Sequence, residues 1–416
     1  MRQMLFNRTN RRFGLFGFVL LATSALGSLG ILATGGCARA PLQNQKEAMR
    51  RVAAPEIQDD LPLPTLLNAV EAEIRYLEGD VAPHEFLFGE EYFTKAEYLS
   101  GLHRLLKIGR AAVNSADFYR AVETEFDFYE VYGQNDWGQV FITSYFEPHI
   151  QGSLQKTERF STPLYKAPED IIGLDLALFD KKYATDRKLR GWLVNKTLLP
   201  YYSREEIDSK EALQGKKLEL CWVDTLDAFI LQIQGSGTVD LGNGKYFYIN
   251  YAEKNGQPYE PVGKFVKDFI PKDDLNLYTI ENYLRKLPKE EMQSYLNKNP
   301  SYVFFRNSEQ RAITYLGVPG TGGRTIATDP KFFPKGALAF LSFDKPVFPM
   351  PESEKPSSFE PVSRFVLDQD IGGAITGGGR VDLFWGSGEE SKRYAGVMKS
   401  FGTLYYLAPK RPAGKK

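Results

Sequence analysis

The apolar positions of this 416-residue chain change their period near residue 128. Upstream the spacing is helical. In "LPTLLNAVEAEIRYLEG", Leu67, Val70, Ile74 and Leu77 recur on one face behind Pro64 and Thr65, which predicts a helix. "TKAEYLSGLHRLLKIGR" predicts a second, with Thr94 and Glu97 as a capping box and Leu99, Leu102 and Leu105 or Leu106 on one face. "SADFYRAVETEF" predicts a third, so residues from about 62 to 128 read as a helical cluster.

Downstream, short runs of Tyr, Phe, Val and Ile alternate with polar residues and are broken by Gly, Pro, Asn and Asp. "GQVFITSYFEP", "KLELCWVDTLDAFILQIQGSGTVDL" and "KYFYINYAEKNGQPYEPVG" predict antiparallel strands, with Asn255-Gly256 as a turn pair. A helical interlude at about 279–297 is divided by Pro288, and strands resume from "SYVFF" to "TLYYLAP". No internal repeat is evident. The length suits two domains, mainly β with helices.

The N-terminus has a third texture. Arg2, Arg8, Arg11 and Arg12 precede an uncharged run from Phe13 to Gly36, the layout of a secretory signal peptide over residues 1–36. The run is also long enough to span a bilayer as an uncleaved membrane anchor. "LATGGC" resembles a bacterial lipoprotein box, which makes Cys37 the expected lipidation site. Residues 37–60 follow as a tether, and 411–416 end the chain as a basic tail. With Cys37 lipidated, Cys221 stands alone and no structural disulfide is expected.

Composition narrows the chemistry. The 52 basic residues are matched by 52 acidic ones, which excludes a strongly electrostatic partner such as nucleic acid. His84, His103 and His149 are widely spaced, so no metal is expected from them. Aromatic residues, at 13%, suit the filling of a β-rich core and would also suit sugar binding.

The stretch "LDQDIGGAITGGGRVDLFWG" (367–386) sets Asp368, Asp370 and Asp382 among six glycines. So many glycines mark bends or a close approach of ligand to backbone. A phosphate loop is excluded, because no Lys-Ser/Thr follows and no helix start is visible after "GGGRVDLFWG". Asp382 lies between Val381 and Leu383, with Trp385 expected on the same face. A carboxyl group beside an aromatic ring and short of water has its neutral form favoured, as a general acid requires. The plainer alternative is an outward Asp382, solvated or paired with Arg380. Asp368 and Asp370, beside turns, read as caps or anchors. In "QIQGSGTVDLGNG", alternation puts Gln232, Gln234 and Ser236 on one face, suited to cradling a polar ligand; the alternative is a turn between strands. Gly235-Ser236-Gly237 lacks the wider pattern of a hydrolase elbow.

Five segments, in order, resemble the lytic murein transglycosylases of the A type, which carry a C-terminal three-aspartate (3D) domain. They are "SYFEPHIQGS" with "PLYKAPED", "FILQIQGSGTVDLGNG", "NYAEKNGQPYEPVGK", "NPSYVFF" and "DQDIGGAITGGGRVDLFWG". The resemblance implies a double-psi β-barrel catalytic domain with N-terminal helices, residues 61–145 and 261–410. A smaller β-barrel inserted at 146–260 splits it, and peptidoglycan glycan strands lie in the groove between them. It aligns Asp382 with the family's single catalytic acid and base, with Asp370 and Asp368 in support. The loop between Asp370 and Asp382 is one residue longer here, in the triple glycine. Tyr145, Gln234, Ser236, Gly237 and Trp385 become the expected substrate contacts.

The implied reaction breaks the glycosidic bond by internal attack and forms 1,6-anhydro-N-acetylmuramic ends, so it needs one carboxyl group where hydrolysis needs two, and no metal or organic cofactor. The implied location is the periplasmic side of a bacterial envelope, as an outer-membrane lipoprotein, with room for partners in cell-wall synthesis or turnover complexes. The rivals are a noncatalytic peptidoglycan-binding lipoprotein and an inverting hydrolase. The second would need a carboxylate opposite Asp382, from Asp368, Asp224 or Glu147.

Overall fold

The structure, a computed structural model, describes residues 42, 44–180, 182, 189–311, 313–351 and 353–411. The expected signal or anchor, the lipidation site Cys37 and residues 412–416 of the basic tail lie outside them. Among the described residues no helix is long and apolar enough to cross a membrane.

Six strands close on themselves to form a barrel. Ser400–Pro409, Leu338–Val347, Ser358–Asp370, Thr325–Ala327, Arg380–Ser387 and Val140–Glu147 pair in that order, and the last returns to the first. Two of the pairings are parallel, Thr325–Ala327 with Ser358–Asp370 and Arg380–Ser387 with Val140–Glu147. Closure covers the edges of these six strands, and Phe126–Val131 with Met49–Val52 beyond it extends the sheet outward from Ser400–Pro409. Val140, Ile142, Leu338, Phe340, Val366, Val381, Leu383 and Leu404 meet in a fully buried core. That burial is the main driving force, ~25 cal/mol per Å² of apolar surface.

The predicted helices pack on this barrel. Leu63–Leu77 buries Leu66, Val70, Ile74 and Leu77. Lys95–Ala111 opens with the expected capping box, in which the Thr94 hydroxyl accepts from the Glu97 N–H and the Glu97 carboxylate accepts from the Thr94 N–H. Gly109 lets the two helices close up, since a Cβ there would lie 2.4 Å from Leu67. Ser115–Glu125 is the third helix. The cluster is not all helical: an antiparallel hairpin, Glu85–Phe88 with Glu91–Thr94, interrupts it.

Between Val140–Glu147 and Thr325–Ala327 the chain builds a second six-stranded sheet. Its order is Val303–Ser308, Tyr246–Lys254, Ser236–Asp240, His149–Ser153, Glu219–Val223 and Thr162–Tyr165. A bridge between Lys166 and Phe305 links the last strand back to the first. A third, small sheet joins Ile172–Leu174, Leu189–Val194 and Thr197–Pro200.

Three local expectations are corrected. "TLDAFILQIQ" is a helix, Thr225–Gln234, and not a strand. The Asp224 carboxylate accepts from the Leu226 and Asp227 N–H groups to start it, and Gly235, at φ +84°, ends it. Leu226, Ala228, Phe229, Ile230 and Leu231 are all buried and the exposed Ile233 is apolar, which leaves only the half-buried Asp227 and Gln234 to mark a polar face, too little to reveal the period. Asn255-Gly256 is not a hairpin turn: the Asn255 side-chain amide donates to the carbonyls of Tyr202 and Pro300, pinning separate segments together. A helix, Glu389–Val397, does follow "GGGRVDLFWG", after the strand rather than after the glycines.

Candidate active site

Parallel pairing sets Asp382 opposite Thr143 and Phe384 opposite Tyr145. Val381 and Leu383 point into the barrel core, so alternation turns Asp382 outward from it. The Thr143 hydroxyl donates to Asp382 Oδ1. Arg380 Nη2 donates to Thr143 Oγ1 at 3.2 Å and stands 3.8 Å from the same carboxylate oxygen. The Asp382 side chain keeps 20% of its surface open. Burial pushes its carboxyl above the usual carboxylate range, opposed by the Thr143 hydrogen bond and Arg380 and reinforced by Asp370.

Two residues along the same strand face, Tyr145 links Asp382's surroundings to Asp370. Its phenol donates to Asp370 Oδ2 at 2.7 Å, while Asp370 Oδ1 accepts the N–H groups of Tyr315 and Ile371, each at 2.9 Å. Burial raises the Asp370 carboxyl, and these three donors oppose the rise. Burial, with Asp370 and Asp382 nearby, also drives the Tyr145 phenol well above its ordinary value, so it stays a hydrogen-bond donor.

Asp368 belongs to the interior. It is fully buried, accepts from Lys335 Nζ at 2.7 Å, and accepts from the Thr328 and Tyr406 hydroxyls at 2.6 Å. Lys335 Nζ also donates to the carbonyl of Asp370 at 2.8 Å, linking the Asp368 side chain to the Asp370 backbone. Burial lowers the Lys335 ammonium, and Asp368 opposes that.

The other expected contacts scatter. Gln234 ends its helix and accepts the Phe146 N–H at 3.1 Å, next to Tyr145. Ser236 begins the following strand opposite Asn250, so it does not share a strand face with Gln232 and Gln234. Gly237 is buried where a Cβ would lie 2.3 Å from Leu231 and 3.0 Å from the Pro148 carbonyl. Trp385 is on the face opposite Asp382, because three residues along a strand reverse the side. Its ring stacks on Tyr394 at 4.6 Å and meets Phe343 edge-on. Sequence reading missed Thr143, Arg380 as partner of Thr143, and Lys335. Thr143 had one sign, its period-two position relative to Tyr145; Lys335 had none, being far from Asp368 in sequence. Among the described residues no group of three or more His, Cys, Asp or Glu is placed to hold a metal ion.

Residues 141–306 match the MltA specific insert domain, and residues 324–408 match the 3D domain. Membrane-bound lytic murein transglycosylase A of Escherichia coli K12 is 27% identical over 292 residues, covering 69% of this chain and 71% of that protein. Its homolog from Buchnera aphidicola is 25% identical over 304 residues, covering 72% and 73%. A membrane-bound lytic murein transglycosylase from Agrobacterium tumefaciens has a similar structure, with a TM-score of 0.69, 25% identity, and 87% and 98% of the two chains covered. E. coli MltA with bound chitohexaose is similar in fold, with a TM-score of 0.66, 22% identity, and 89% and 98% covered.

Proposed function

The chain belongs to the membrane-bound lytic murein transglycosylase A family, and from that premise we propose that it cleaves the β-1,4 bond between N-acetylmuramic acid and N-acetylglucosamine in peptidoglycan, leaving 1,6-anhydro ends. It is an enzyme of the peptidoglycan layer. The glycan lies in a groove between the first barrel, of double-psi type, and the inserted one.

Asp382 begins protonated and gives its proton to the glycosidic oxygen as the bond to C1 of N-acetylmuramic acid breaks. The C6 hydroxyl of the same sugar then bonds to C1, and the Asp382 carboxylate takes the hydroxyl proton, which restores the acid. Because nucleophile and reacting carbon share one sugar ring, no water has to be positioned. Asp370 holds Tyr145, which with Gln234 and Ser236 helps place the sugar, while the buried Gly237 only holds its strand close; Trp385 supports the Asp382 strand from its far side.

The observation that carries this reading is a raised, partly open Asp382, while each of the three carboxylates nominated for a hydrolase is engaged elsewhere. Asp368 is paired with Lys335, Asp224 caps a helix and meets Arg285 at 3.2 Å, and Glu147 is buried and accepts from Thr238. The names of the relatives support a place on the periplasmic side of the envelope, with Cys37 as lipid anchor. The test is mass spectrometry of products released from purified sacculi. Anhydro-muropeptides are expected; reducing ends carrying an added water would overturn the mechanism, and binding without products would leave only a wall-binding protein.

A further inference from the structure

A cavity of about 430 Å³ opens beside Asp370, within the range of small-ligand sites, ~300–1,000 Å³. Two of its lining residues are tied to that aspartate: Tyr315 through its N–H on the carboxylate, and Lys335 through its ammonium on the carbonyl. Tyr76 at the end of the first helix, Tyr92 on the 85–94 hairpin and Phe333 complete an aromatic wall. Tyr76, Tyr92 and Tyr315 fall outside both matched family domains, so this wall is built by other parts of the chain.

Tyr315 is 58% exposed and Tyr92 49%, which leaves the Tyr315 ring, the Tyr92 face turned away from Lys46 and both phenolic edges open to a ligand. Such surfaces suit a sugar ring, whose C–H faces pack on aromatic rings and whose hydroxyls bond at the edges. Charge sharpens the choice. Lys335 is the basic residue among those lining the cavity, and its ammonium already serves Asp368, Asp370 and both oxygens of Thr328. Lys46, which is not among the lining residues, covers one face of Tyr92 at 5.8 Å from the ring centroid, while Glu85 adds a carboxylate to the lining. Among the described residues, a ligand carboxylate therefore meets no spare cation in the lining and one like charge.

We propose that this cavity is a distal subsite for an uncharged N-acetylhexosamine unit of the glycan, one carrying no acidic peptide. The proposal rests on the glycan-cleaving reading above, and Tyr315 connects the two places through its bond to Asp370.

The experiment uses the full chain with Asp382→Asn, so that chitohexaose binds without turnover, followed by hydrogen exchange and calorimetry. Protection is expected at 81–92 and 313–316. Tyr92→Ala should weaken chitohexaose binding about tenfold, ~1.4 kcal/mol, and Tyr92→Phe should keep most of the affinity. Absence of protection at both segments, or an affinity for Tyr92→Ala within twofold of its parent, overturns the subsite. So does stronger protection there by an acidic muropeptide than by chitohexaose. If sacculi still yield anhydro products, those results overturn the cavity alone; if neither products nor binding occur, the glycan-cleaving reading falls as well.

Discussion

Asp368 and Asp382 come from one glycine-rich stretch and meet opposite fates. Asp368 is sealed in the barrel wall, where an ammonium and two hydroxyls satisfy it. Asp382 faces outward, with one hydroxyl, a guanidinium at 3.8 Å and part of its surface open. A buried carboxylate can be relieved by a cation or by a proton. The first carboxylate has the cation and holds structure; the second leans toward the proton, which is what an acid needs.

The largest effect expected from breaking that contrast is catalytic. Asp382→Asn should lower the rate on sacculi by on the order of 10²–10⁴ while leaving the melting temperature nearly unchanged. Full activity in that variant would remove Asp382 from the mechanism. Asp368→Asn should do the reverse at the level of folding, since it strands Lys335 as an uncompensated buried charge and costs about 3–5 kcal/mol in denaturant titrations. A stability within 1 kcal/mol of the parent, as an order-of-magnitude threshold, would make the pair dispensable.

Glu73 sharpens the same contrast from behind Asp368. It is fully buried, accepts from Gln369 Nε2 at 2.5 Å, and burial pushes its carboxyl from 4.5 up to about 8. A folded value above the unfolded one means that its stability contribution is whole below about 4.5 and is lost as pH rises through about 8. Glu73→Gln should therefore be more stable than the parent at pH 9, on the order of a few kcal/mol, with the difference vanishing near pH 4; parallel melting curves across that range would refute it.

The smallest effect concerns tuning. Arg380 favours the Asp382 carboxylate, so Arg380→Gln should raise that carboxyl further. The alkaline limb of kcat/KM should then move up by about one pH unit, because the acid stays protonated longer. An unmoved limb would mean that Arg380 acts on Thr143 alone.

Much of the frame was legible because it is local. The capping box at Thr94 and Glu97, the break at Pro288 and the switch from period 3.6 to period 2 each report a few neighbouring residues. The Thr225–Gln234 helix was not legible, since its apolar residues run almost all the way round, with the exposed Ile233 among them, and leave too narrow a polar face to mark a helical period. At the site, Asp382 and Asp370 were readable from the glycine-rich stretch and its resemblance. Their partners were not, because Thr143 and Lys335 are supplied by strand pairing and by a loop distant in sequence.

By itself, then, the sequence determined the segments, the glycine-rich stretch and the choice of aspartates, all of which follow from residue type and spacing. Which aspartate was to be raised by burial yet left partly open, and which paired with a lysine and sealed, was decided only by the closed barrel. Solvent access and the approach of Lys335 or Thr143 are properties of chain segments brought together, and those set a carboxyl group's proton affinity.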